Sequence, residues 1–162
     1  MDAEDSPARR SVAYTPRMKP SLVVGNTAEV TVRVTEDMCP AFDGVIVHRV
    51  YSTWSMAHHM ELAARKVLAP HLEPHEEGIG SHLSIDHVAP TPVGREVRVE
   101  AEAVEVEATM LVCNVTAYHV GPRGETVVGR GRQVQRVLPR RTLEALIEKA
   151  GSCQPQPSNP SS

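Results

Sequence analysis

Polar and apolar positions alternate with period two along most of this chain. TAEVTVRVT (27–35) puts Val30, Val32 and Val34 on one face and predicts a strand with one wet side. From residue 80 onward the same period persists. GSHLSIDHVAP (80–90), GREVRVEAEAVEVE (94–107), ATMLVCNVTAYHV (108–120) and TVVGRGRQVQRVLP (126–139) predict four long strands. They are separated by APTPVG, a turn about Glu107, and GPRGE. EDMCPAFDG (36–44) reads as a loop, and VIVHRVY as a short extended piece after it. One interval departs from alternation. Trp54, Ala57, Met60, Ala64, Val67 and Leu68 recur at helical spacing, so a helix is expected from Ser52 or Thr53, either of which can cap it. It should run to about Pro70, where APHLEPHEEG breaks it. RRTLEALIEKAG (140–151) predicts a closing amphipathic helix that stops at Gly151.

One strand, one long apolar helix and four long strands make an α+β chain. A lone helix with a broad apolar face is best buried by a curved antiparallel sheet wrapped around it, the hot-dog arrangement, with the late strands as meander-like neighbours. An open sheet edge favours pairing with a second copy, so a homodimer is expected. The folded unit spans 21–150. Residues 1–20 and the Pro/Ser/Gln-rich tail 151–162 are expected to be loose extensions.

Composition narrows the picture. Hydrophobic residues make up 41% of the 162 positions but aromatics only 3%, so the core must be built from Val, Ala, Leu and Ile. A net charge of -3 gives no basic footprint for nucleic acid. No apolar run approaches the length of a membrane span, and no secretory leader is evident, so a cytoplasmic protein is expected. Cys39, Cys113 and Cys153 show no paired spacing; Cys113, inside a strand, reads as an apolar filler.

Four polar residues interrupt the helix: Thr53, His58, His59 and Glu61. Adjacent imidazoles point about 100° apart on a helix and cannot share one ion, and no third ligand stands at useful spacing, so no metal is implied. They read as helix-surface or dimer-contact residues. Glu61 is either a surface carboxylate paired with Arg65 at i+4 or a group at the margin of the buried face, near the azimuth of Thr53. His87 shares a strand face with Leu83 and Ile85, and Gly80 opens that strand with a backbone N–H that a ligand can reach. Arg130, Arg132 and Arg136 share one face of the last strand, either as a solvated cationic face or as a site for phosphate or thioester oxygen.

STWSMAHHMELAARKVLAPHLEPHEEGIGSHLSIDHVAPTPVG carries a Thr eight positions before the Glu of M-E-x-A. An A-P-x-L-E-P turn, a G-x-x-x-x-x-x-H strand and A-x-T-P-x-G follow. This stretch resembles the fluoroacetyl-CoA thioesterase-like branch of the hot-dog proteins, and the resemblance extends to about Leu138. It implies an acyl-CoA thioesterase that uses a Thr, Glu and His set, here Thr53, Glu61 and His87. Gly80 would supply a backbone N–H near the thioester carbonyl, and Arg136 would be a substrate-binding arginine. The aromatic lid that the fluoroacetyl-specific member has before the helix is replaced here by GVIVHRVYS, with Phe42 and Tyr51 nearby.

The chemistry is coherent: hydrolysis of a thioester needs a nucleophile or activated water, a proton shuttle and an oxyanion donor. A thioesterase for a short or compact acyl-CoA, without cofactor, is therefore the leading expectation. A non-catalytic acyl-CoA or small-acid binder on the same fold is the second. A hot-dog hydratase ranks below both, since no Asp-centred G-D-x-N-P-type motif is present.

Overall fold

The computed structural model describes residues 18–152. The two expected loose extensions fall outside them except at their inner ends. Lys19 donates its backbone N–H to the His71 carbonyl, Ser21 bonds His71, and Leu22 is buried. The chain is therefore tied to the body from residue 19 onward.

Among the described residues, seven strands and two α-helices form in the order β1 (Thr27–Arg33), β2 (Ala41–Phe42), β3 (Val45–Ile46), α1 (Thr53–Leu68), β4 (Glu76–His87), β5 (Glu96–Glu107), β6 (Met110–Gly121), β7 (Gly124–Pro139) and α2 (Arg140–Ser152). The main sheet is fully antiparallel in the order β1-β5-β6-β7-β4, and α1 lies on its concave face. This is the expected hot-dog layout, with one difference in connectivity. Strands β5, β6 and β7 form a meander, but β4 pairs with β7 rather than with β5. The crossing segment is pinned on the way: Tyr51 donates to the Thr91 carbonyl and Val93 to the Arg49 carbonyl.

Small differences have local causes. β4 begins four residues before the expected strand, because Glu76–Ile79 already pair with β7. The loop read over 36–44 contains half of a small hairpin, β2–β3. Its turn residues, Asp43 and Gly44, both have positive φ, the two-residue geometry that Asp-Gly favours.

The core-facing stripe of α1 is Met56, Met60, Ala63, Ala64, Val67 and Leu68. Trp54, expected on that stripe, lies outside it, 45% exposed and edge-on to Phe42 at 5.6 Å. His59, expected at the surface, is buried, while His58 stays exposed. Both corrections follow from the phase of the helix, which is set by Met56 rather than by Trp54. Facing the stripe stand Val97, Val99, Ala101, Leu111, Cys113 and Val115. Burial pushes the Cys113 thiol up to about 12, so it behaves as the apolar filler expected of it. Among the described residues, no helix is long and apolar enough to cross a membrane.

Two glycines on the concave face let the helix seat closely. A Cβ on Gly129 would stand 2.3 Å from the Met56 sulfur, and one on Gly78 2.4 Å from Leu68 Cδ2. A side chain at either place would force the Met56 or Leu68 side chain to shift.

Candidate active site

Ser52 caps α1: its hydroxyl accepts the Ser55 N–H at 3.2 Å, while its own N–H donates to the Met38 carbonyl. The cap places Thr53 at the first helical position, with its side chain free to reach β4. Thr53 Oγ1 lies 3.0 Å from His87 Nδ1, and His87 Nε2 lies 3.1 Å from the Ala89 carbonyl. A carbonyl only accepts, so Nε2 carries the proton. In the neutral ring Nδ1 is then the acceptor, and the Thr53 hydroxyl donates to it. This is the polarity of a hydroxyl nucleophile with its base.

Glu61 stands two helical turns further along α1, beside Gly80. Its Oε1 is 2.2 Å from the point a Gly80 Cβ would occupy, so only glycine permits the approach. Gly80 and His87 are an odd number of residues apart, and simple alternation would put them on opposite faces. The register shift between Gly80 and His82 reverses the parity, so Gly80, Leu83, Ile85 and His87 all face the helix side. The bulge thus lets one strand present both groups to α1.

Within the chain the candidate site comes as two half-sites. Thr53 pairs with His87, and Glu61 with Gly80; eight helical residues separate Thr53 from Glu61, roughly 12 Å along the axis. Two adjoining cavities, of about 370 Å³ and about 290 Å³, share Glu61 and Gly80 as walls. The larger is completed by His58, Leu62, Arg65, Glu77, Gly78 and Gln135, and the smaller by Ser81, His82, Leu83 and Gln133.

The structure does not bring Arg136 into either cavity. Strand β7 turns Gly129, Gln133, Gln135 and Val137 toward the helix, and Arg136 is exposed on the opposite face. Arg132, on that face, pairs with Glu105 at 3.0 Å. The cation beside Glu61 is instead Arg65, and it is not paired to Glu61. It donates to Glu77 Oε1 at 2.5 Å and to the Gly78 carbonyl at 2.7 Å. Burial alone would raise the Glu77 carboxyl, but hydrogen bonds from Arg65 and the Gly78 amide, with the charges of Arg65 and Arg140, hold it below its ordinary value.

Behind Thr53 and His87 lies a buried pair that sequence patterning missed. The Tyr51 hydroxyl is 2.8 Å from His59 Nδ1 and 3.2 Å from the Ser55 carbonyl; its ring meets the His87 ring edge-on at 6.5 Å. Burial pushes the tyrosine ionisation up. Burial, and then the charge of His58, push His59 below its ordinary value. His59 therefore stays neutral near neutral pH; since the tyrosine proton goes to the Ser55 carbonyl, which only accepts, His59 Nδ1–H donates to the Tyr51 oxygen. Gln133 and Gln135 were also missed: alternation places them opposite the arginine face, but their polarity gave no reason to single them out. Their adjacency to the glycine-rich VVGRGR run was the available signal.

A curved antiparallel sheet around one central helix is the hot-dog fold, here with the Thr53–His87 pair and the Glu61 carboxylate set between that helix and the edge strand β4. Comparison with known proteins then narrows this. The family model described as fluoroacetyl-CoA-specific thioesterase (FlK) matches residues 34–141, and the chain belongs to that family. It is 35% identical over 89 residues to the fluoroacetyl-CoA thioesterase of Streptantibioticus cattleyicolor. That match covers 55% of this chain and 61% of the relative, short of two thirds of the relative's length. A hypothetical thioesterase-superfamily protein of Thermus thermophilus superposes with a TM-score of 0.76 at 37% identity, covering 81% of this chain and 94% of that one. A single-residue variant of the fluoroacetyl-CoA-specific thioesterase superposes at 0.71 with 26% identity, covering 82% and 99%.

Proposed function

We propose that this chain hydrolyses a short or compact acyl-CoA thioester with Thr53, His87 and Glu61, and that it does so as a homodimer. The observation that carries the reading is the Thr53 hydroxyl held 3.0 Å from His87 Nδ1, with the opposite ring nitrogen committed to the Ala89 carbonyl. In this scheme Thr53 Oγ1 attacks the thioester carbonyl and its proton passes to Nδ1. The C–S bond breaks, and the CoA thiolate takes that proton from His87. Water, deprotonated by the Glu61 carboxylate, then attacks the threonyl ester; the C–Oγ1 bond breaks, the Thr53 oxygen takes up that proton, and the acid is released with Glu61 again ionised. The Gly80 N–H serves as an oxyanion donor, a role typically worth about 3 kcal/mol of barrier.

The homodimer gives this scheme its geometry. β4 is an edge strand, and its two ends carry the two half-sites. A second copy added antiparallel along β4 sets the Gly80 end of one protomer against the His87 end of the other, closing the roughly 12 Å gap that one helix imposes.

The test is thiol release from a panel of CoA esters, with the enzyme quenched in acid and its peptides weighed. Acyl mass on the Thr53 peptide, lost in Thr53→Ala, is the expected result. Acyl mass on Glu61 instead would transfer the nucleophile's role to that carboxylate. Tight calorimetric binding of CoA esters without any thiol release would favour the non-catalytic binder.

A further inference from the structure

From the Gly80 half-site, strand β4 runs back to a junction that the hydrolytic scheme leaves unused. There the turn before β4 meets the start of α2. Glu76 pairs with Pro139, and the Arg140 N–H donates to the His75 carbonyl at 2.9 Å. These contacts bring His75, Arg140 and Arg141, all exposed, to the walls of a cavity of about 460 Å³ together with Pro139. The Arg140 guanidinium is held in place. Its Nη1 donates to Glu77 Oε2 at 2.9 Å and its Nε to the Pro74 carbonyl at 3.2 Å, so Nη2 stays uncommitted among the described residues. Arg141 makes no ion pair among them. Glu77 does not neutralise the group, because Arg65 and Arg140 already share it. A fixed guanidinium with a spare N–H edge, beside a second that is free to move, suits the oxygens of a phosphate.

The spacing to the half-site matters. Four residues separate Gly80 from Glu76, about 13 Å of strand. The larger cavity fills that interval: Gly80, Gly78 and Glu77 wall it from β4, and Glu77 is also the partner of Arg140. In a CoA thioester about thirteen bonds join the sulfur to the first phosphorus, and an extended chain of that many spans about 15 Å. A thioester carbonyl at Gly80, with its pantetheine arm laid along the edge of β4, therefore delivers the diphosphate to the cavity of His75, Arg140 and Arg141. The arginine face of β7 offers no such path. It lies across the sheet from Glu61, and its Arg132 is paired with Glu105.

We propose that Arg140 and Arg141, with His75, form the site that receives the phosphates of the CoA nucleotide, the pantetheine arm lying in the cavity between Glu77 and Gly80. This rests on reading the Glu61–Gly80 cavity as the place where the thioester reacts. The two arginines hold the substrate and take no part in bond making.

The experiment measures kcat/KM by thiol release for the acyl-CoA of the panel that reacts fastest and for the pantetheine thioester of the same acyl group, which lacks every phosphate. The native chain should favour the CoA ester by about tenfold or more, through KM rather than kcat. In Arg140→Ala/Arg141→Ala that advantage should fall to within about twofold of one, whereas Arg136→Ala should keep it. Both esters are measured on one preparation, so an unfolded fraction cancels from the ratio. Arg141→Ala alone breaks no ion pair and should lose part of the advantage at an unaltered thermal midpoint. Equal rates on the two esters in the native chain, or an advantage that survives the double substitution, overturns the site and leaves the thioesterase reading intact. A collapse in Arg136→Ala instead does the same and moves the phosphates to the outer face of β7. If inorganic phosphate raises the native midpoint while the two esters react equally, the arginines hold a free anion and the site for CoA is overturned. Thiol release from no CoA or pantetheine ester overturns both readings.

Discussion

Thr53 and His87 are 34 residues apart in sequence and meet through one hydrogen bond whose polarity is dictated by a backbone carbonyl. Thr53→Val keeps the shape but removes the donor, so kcat should drop by about 10²- to 10⁴-fold with little change in thermal midpoint. Thr53→Ser should retain much of the rate. Equal rates in the native and Val proteins would refute the pairing. Gly80→Ala forces the Glu61 carboxylate off its seat, since the added methyl would fall 2.2 Å from Oε1. The expected signature is a fall in kcat that Glu61→Gln does not deepen further, because both changes act on one group. His59 provides a pH effect. Its folded-state pKa lies below the ordinary 6.5, so the unfolded chain binds the proton more readily. Stability is then fully present above about 6.5 and is lost as pH falls through the depressed folded value. In His59→Leu, midpoints measured across pH 7 to 5 should decline less steeply than in the native protein.

At the scale of elements, α1 is positioned by its first turn and its neighbours more than by its own propensity. Ser52→Ala removes the cap on the Ser55 N–H and should cost about 1 kcal/mol in urea unfolding, with a further loss of rate because Thr53 is the next residue. An unchanged rate alongside lowered stability would mean that Thr53 is held by β4 alone. Glu77 joins β4 to α1 through Arg65 and to the start of α2 through Arg140 at 2.9 Å. Its carboxyl is held below its ordinary value of 4.5, so this support is fully present above about 4.5 and fades as pH falls through the lower folded value. Glu77→Gln should flatten the acid limb of a pH–stability curve; an unaltered limb would assign acid unfolding to other carboxylates.

For the whole molecule, the distance between the half-sites is the decisive quantity. If each site draws Thr53 and His87 from one protomer and Glu61 from its neighbour, neither Thr53→Ala nor Glu61→Ala alone is active, yet the two together are. Unfolding and refolding an equimolar mixture should recover about a quarter of native activity, since half of the dimers are mixed and each mixed dimer holds one intact site. No recovery, in a sample that sedimentation shows to be dimeric and mixed, would place the whole set in one protomer.

Much of this was legible in residue order, and the limits of that reading are physical. Period two in the β5–β7 stretch and the interruption at residues 51–68 determined an α+β chain with one helix for a sheet to wrap, because burying one face of each element dictates those periods. The Thr, Glu, Gly and His spacings also stood out in residue order. Which groups meet was decided only by tertiary structure. The bulge between Gly80 and His82 changes the parity of β4, a one-residue slip that composition does not record. The phase of α1 is set by Met56 against Gly129, which turns Trp54 outward and His59 inward. The face that Arg136 takes follows from β7's pairing on both sides, and that same pairing buries Gln133 and Gln135 on the opposite face, two polar residues whose own chemistry gave no sign of burial.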